Sequence, residues 1–111
     1  MEPSSSEEEY RDSIAPDVMG CLANSGFFEK LDELLSPEDE SRVPEKCDHS
    51  FRLSDSILPA LGFTPSDLDD ILAVLRSKGA CCDCEVLFNI SETNRLKAKY
   101  WRARARDLDK T

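Results

Sequence analysis

The stretch TPSDLDDILAVLRSKG, residues 64–79, constrains the fold more than any other part of the chain. Thr64 offers a side-chain cap, Pro65 stands at the first helical position and Asp67 lies at the third. Leu68, Ile71, Leu72 and Leu75 recur at three- and four-residue spacing, and Gly79 ends the pattern. A helix with an apolar stripe on a core is therefore expected, with Asp69 and Asp70 facing solvent. A second helix is expected in SGFFEKLDELLSP, with Phe27 or Phe28, Leu31, Leu34 and Leu35 on one face, Ser25 as cap and Pro37 beyond its end. A third starts at Ser54 and runs through Ile57, Leu58 and Leu61 to Gly62. Pro59 limits it to about a turn and a half.

Two runs read as extended. In CDHSFRL, residues 47–53, Phe51 and Leu53 alternate with polar neighbours. In CEVLFNI, residues 84–90, Val86, Phe88 and Ile90 share one face, with Glu85, Leu87 and Asn89 on the other. The expected fold class is thus α+β: a small single domain of about three helices packed on a two- or three-stranded sheet. Residues 1–24 are expected as an acidic, largely flexible N-terminal arm, with a short helix after Pro16. Residues 25–93 form the α+β core domain, and residues 94–111 a basic C-terminal helix or tail. In that last segment Leu96, Ala98, Ala103 and Ala105 are compatible with helix.

With 111 residues the chain supports one domain. A core this small is marginal and gains from a staple. Residues 1–93 carry 7 basic and 21 acidic side chains, a balance of −14, whereas residues 94–111 carry 7 basic and 2 acidic, a balance of +5. The acidic body argues against anionic membranes and nucleic acid, and no stretch has the apolar length of a membrane span. The N-terminus lacks the basic and apolar regions of a signal peptide, so a cytoplasmic location with reduced thiols is expected. Five cysteines, an odd number, fit a disulfide framework poorly.

Those cysteines bring the chemistry. Cys47-Asp48-His49 and Cys82-Asp83-Cys84 echo one another, each with two soft ligands around an aspartate at the start of an extended run. Alternation along a strand puts residues i and i+2 on one face, so each pair makes a two-pronged claw. If the runs meet, Cys47, His49, Cys82 and Cys84 form a Cys3His set, a tetrahedral zinc combination. Cys81 points the other way and is left out. Asp48 and Asp83 fall between the prongs, either as outer acceptors for the ligands or as solvated acids. The competing accounts are that the cysteines serve as small apolar core residues, or that they act as a redox pair. Were one coordination position open, a metal-bound water with Glu85 or Asp48 as base would make a hydrolase site. No nucleophile elbow, P-loop or dinucleotide fingerprint is present.

The C-terminal segment joins Arg95, Lys97, Lys99, Arg102, Arg104 and Arg106 with Tyr100 and Trp101. It offers a route to nucleic acid through phosphate contacts and stacking. The alternatives are a solvated helix anchored by Trp101, self-association, or contact with an acidic protein surface.

CDHSFRLS, residues 47–54, followed by GACCDCEVLFNI, residues 79–90, resembles the signature of a family of small bacterial proteins, domain-of-unknown-function family 2695. The pattern resembles C-x-H-[ST]-x-[KR]-x-[ST] and then G-x-x-C-D-C-E-V-L-x-N-[VI]. Cys47, His49, Ser50, Arg52 and Ser54 match the first part, and Gly79, Cys82, Asp83, Cys84, Glu85, Val86, Leu87, Asn89 and Ile90 the second. The resemblance spans residues 27–91 and implies a bacterial cytoplasmic protein; it brings no activity with it. Combined with the ligand spacing, it favours a non-enzymatic interaction module with a structural zinc site and a protein partner or self-association. The main alternative is a metal-dependent or thiol-based enzyme of unknown substrate.

Overall fold

The computed structural model describes residues 3–39, 41–91 and 93–109; residues 1–2 of the expected arm and 110–111 of the expected tail lie outside the described residues. Every regular element is helical: α1 (Pro3–Ser25), α2 (Phe27–Leu35), α3 (Arg52–Ala60), α4 (Pro65–Ser77), α5 (Asp83–Glu85), a π turn (Val86–Ile90) and α6 (Arg95–Asp109). Among the described residues there is no β-strand, so the expected α+β class with its sheet is overturned in favour of an all-α fold.

Burial explains the reversal. In a strand Val86 and Leu87 would point to opposite faces. Both are completely buried, and Cys82 and Asp83, four residues earlier, are buried with them. Burial at i, i+1, i+4 and i+5 is the footprint of a helix face. The alternate residues Val86 and Ile90 also lie four apart, so a run this short fits both periods. The upstream run offers no partner strand. Residues 49–51 are bends, and α3 begins at Arg52, placing buried Leu53 one turn before buried Ile57, and Ser54 one turn before Leu58. The π turn closes with the Ser91 N–H on the Val86 carbonyl at 3.0 Å, and Asn89 Nδ2 donates to the Gly79 carbonyl at 2.8 Å.

The helix expected from residue 64 is α4. Thr64 and Asp67 form a reciprocal capping box, with Thr64 N–H on Asp67 Oδ2 at 2.8 Å and Asp67 N–H on Thr64 Oγ1 at 3.1 Å. Of its stripe Ile71 and Leu75 are buried, joined by Val74, while Leu68 and Leu72 are half-buried. Helix α2 takes the expected place, but Ser25 does not cap it. The Ser25 hydroxyl donates to the Leu22 carbonyl at 3.0 Å and closes α1, and Gly26 makes the corner at φ 81, a conformation L-residues resist.

Helix α1 covers the segment expected as an arm, running unbroken through Pro16. It lies against α4, where the Tyr10 hydroxyl donates to Asp70 at 3.2 Å, and it drives Leu22 into the core. The core gathers Leu22, Phe27, Leu31, Leu58, Leu75, Val86 and Leu87, all completely buried. No helix of the described residues is long and apolar enough to cross a membrane.

The basic segment is a helix whose first turn is fastened to the body. The buried Asp32 carboxylate on α2 accepts from the N–H groups of Arg95 at 2.8 Å and Leu96 at 3.0 Å, while Asn94 Oδ1 accepts from Lys97 N–H at 2.7 Å. Two acceptors, one from a distant helix, thus fill the donors that open α6. The Arg95 side chain donates to the Ser36 carbonyl at 2.9 Å and pairs with Glu33 at 2.5 Å. The expected anchor, Trp101, is 59% exposed; the ring that meets the body is Tyr100, edge-on to Phe88 at 5.6 Å.

Candidate metal centre

The site forms where the loop before α3 meets the loop after α4. Gly79, at φ 97, ends α4 and turns the chain back, and the Ala80 N–H returns to the Leu75 carbonyl at 3.1 Å. Cys82 follows in extended conformation and α5 starts at Asp83. The incoming segment carries Cys47, then His49 at φ 68, an unusual left-handed conformation for a residue with a Cβ. That bend sends the chain into α3.

One residue clamps the two loops together. The Asp83 N–H donates to the Ser50 carbonyl at 3.0 Å. Its buried carboxylate accepts from Leu53 N–H at 2.9 Å, Ser54 N–H at 3.0 Å and the Ser54 hydroxyl at 2.6 Å. Helix α3 has no side-chain cap of its own, its N-cap position being Phe51, so Asp83 supplies that cap from outside. Asp83 is therefore neither a solvated acid nor free to bond a ligand of the site. Asp48, its counterpart, is exposed and accepts from both the backbone N–H and the hydroxyl of Ser50, with Arg52 Nε at 3.5 Å. The Ser50 hydrogen bonds, followed by the Arg52 charge, hold the Asp48 carboxyl below its ordinary range.

The clamp brings three sulfurs together. Those of Cys47, Cys82 and Cys84 lie within 4.8 Å of one another, and Cys82 and Cys84 are 3.4 Å apart. Tetrahedral coordination at a metal–sulfur distance of about 2.3 Å separates sulfurs by roughly 3.8 Å, so this spacing suits one ion held by all three. Cys82 is buried; Cys47 and Cys84 are half-buried. The His49 imidazole is exposed and stands outside this set, and Cys81 is exposed too, its N–H donating to Glu85 Oε1 at 3.2 Å.

Electrostatics distinguish the three thiols. Burial opposes ionisation of Cys47, but N–H groups of Cys84 and His49 point at its sulfur, the neighbouring thiols donate to it, and its pKa falls below the ordinary thiol value. Burial drives Cys82 the other way, to about 12, against a hydrogen bond from the Glu85 N–H and in concert with its sulfur neighbours and the Glu85 carboxylate 3.4 Å away. Cys84 is raised, first by burial and then by Cys47 and Glu85. Three sulfurs this close accommodate one negative charge readily and resist a second, unless a cation sits among them. Backbone N–H groups aimed at Cys47 and Cys82 are what thiolates require.

Reading the residues alone missed Ser54 and Asp83 as a pair. They stand on either side of α4 in the sequence, and a short acid aligned with the start of a helix is the signal of a cap.

A search of the curated proteins found no match, and neither did a search of the solved structures. One family model matches, over residues 27–89, more than half of the chain and the whole of the sulfur triad with its Asp83 clamp. The chain belongs to that family, described as Protein of unknown function (DUF2695).

Proposed function

We propose that this is a small interaction module of the bacterial cytoplasm, stapled by a structural zinc ion, and not an enzyme. The observation that carries the reading is the approach of Cys47, Cys82 and Cys84 sulfurs to within 4.8 Å, from loops on either side of α3 and α4. Zinc suits a thiolate-rich site better than a hard cation does. The fourth position is assigned to His49, the only histidine of the chain, whose backbone N–H points at the Cys47 sulfur. An ion held there ties α3 to α5 and adds binding free energy to a small core. The division into a core at residues 25–93 and a basic helix at 94–111 belongs to the same reading, as does a compartment that keeps thiols reduced.

A structural role is favoured over a catalytic one by how the nearby acids are employed. Asp83 spends both oxygens on the cap of α3, Asp48 is bonded to Ser50, and Glu85 accepts from Cys81. Each candidate base for a metal-bound water thus has a structural partner.

Cobalt(II) titration of the reduced protein tests the reading. Thiolate-to-cobalt charge-transfer absorption that saturates at one equivalent, with tetrahedral d–d bands bleached by added zinc, is the expected result. Octahedral spectra without thiolate absorption would reject it. Loss of tetrahedral intensity in His49→Ala supports His49 as the fourth ligand; an unchanged spectrum removes it.

A further inference from the structure

We infer that α6 is a docking helix for a second copy of this chain, and that its receptor is the groove between α1 and α4. This groove has a volume of about 350 Å³ and is lined by apolar Ile14, Phe63 and Ile71 together with the carboxylates of Asp17, Asp67 and Asp70. An apolar trough with carboxylates in its lining suits an aromatic helix carrying cations.

Helix α6 has that composition. Trp101 is 59% exposed and Tyr100 46%, and Lys97 and Arg104 share the Trp101 face at i−4 and i+3. Lys99, Arg102 and Arg106 form a second stripe at the same spacing. Trp, Tyr and Arg are the side chains that most often dominate binding energy, and a solvent-facing indole has apolar area to gain by docking.

Charge selects the occupant. The balance is +5 for residues 94–111 against −14 for residues 1–93. A polyanion drawn to α6 meets repulsion from the body, whereas a second copy offers carboxylates at the groove. Reach agrees. Helix α6 leans on α2 and the π turn, while the groove belongs to α1 and α4. The radius of gyration is 15.8 Å, with a long axis of 56 Å. A compact chain of this length has a radius of gyration of roughly 13 Å, so helices stand out from the body. Helix and groove are different surfaces of one chain, which makes the contact heterologous and able to propagate head to tail. None of the triad cysteines takes part, so this inference stands or falls apart from the metal reading.

Sedimentation equilibrium of the full chain over a concentration series tests it. Mass should rise with concentration and return to that of the monomer at high salt. Trp101→Ala, blocking the helix, and Asp17→Lys, blocking the groove at an exposed lining position, should each weaken association by roughly tenfold or more. Circular dichroism shows whether each keeps its helical content. Mixed in equal amounts, the two blocked proteins should form a heterodimer and go no further, since one usable helix and one usable groove remain. A monomeric wild type at every concentration would overturn the inference, as would association that survives either change or a mixture that stays monomeric. Trp101-dependent binding of a single-stranded oligonucleotide by a monomeric chain would also overturn it, and assign α6 to nucleic acid.

Discussion

Ser54 donates both its backbone N–H and its hydroxyl to a single oxygen of Asp83, 29 residues away, at 3.0 and 2.6 Å. The other oxygen holds Leu53 N–H, so one buried carboxylate starts α3 and aligns the cysteine loops. Asp83→Ala leaves these donors unmet and should cost about 2–4 kcal/mol in urea unfolding. Ser54→Ala, which removes one bond of the three, should cost about 1 kcal/mol. An Asp83→Ala loss under about half a kcal/mol would refute the clamp.

Leu87 and Phe88 separate the helical arrangement from a strand. Leu87 is completely buried and Phe88 half-buried, whereas an alternating strand that packs Val86 and Ile90 inward would bury Phe88 and expose Leu87. Leu87→Ala should therefore cost about 2–5 kcal/mol and Phe88→Ala less. The opposite order in thermal melts would restore the strand.

These two sites also mark what could be read from residues alone. Helix α4 was legible because cap, proline, stripe and terminating glycine all agree, and each acts within the helix itself. Helix α2 was legible from its stripe, although its start depends on Gly26 and not on the Ser25 hydroxyl. The segment from Cys82 to Ile90 was misread because its outcome is decided by distant partners. Asp83 is drawn into a helix start by α3, and the apolar residues face whatever core is nearby. The cysteine pairing survived the wrong secondary structure, since Cys82 and Cys84 reach one sulfur cluster from a helix start as they would have from a strand. His49 stands beside the sulfur cluster and not within it, exposed on the left-handed bend ahead of α3.

Asp32 fastens the basic helix. Asp32→Ala frees the N–H groups of Arg95 and Leu96 and leaves only the Asn94 cap, so the first turn of α6 should fray. Amide exchange at these two positions should quicken, by an amount equivalent to about 1 kcal/mol, while α4 amides keep their protection. Unchanged exchange at Arg95 and Leu96 would show that the cap does not hold α6.

Tyr10 reports the docking of α1 on α4. Its hydrogen bond to Asp70, together with the repulsion that a phenolate would feel there, raises its pKa above the ordinary value of 10.0. For a group raised on folding, the stabilising contribution is intact below the unfolded pKa and is lost as pH climbs through the folded one. The contact should thus hold at neutral pH and weaken only in the alkaline range above 10.0. Ultraviolet titration should find Tyr10 ionising above the ordinary value of 10.0, and Asp70→Asn should bring it back down. A midpoint untouched by Asp70→Asn would mean that α1 does not dock through this pair.

The central claim is that Cys47, Cys82 and Cys84 hold a metal ion, and elemental analysis of the reduced, purified protein tests it most directly. About one zinc per chain is expected, retained in Cys81→Ser and lost in Cys84→Ser, whose folding should weaken along with it. Protein without metal after purification in zinc-replete medium, or equal zinc content in the two variants, would contradict the account.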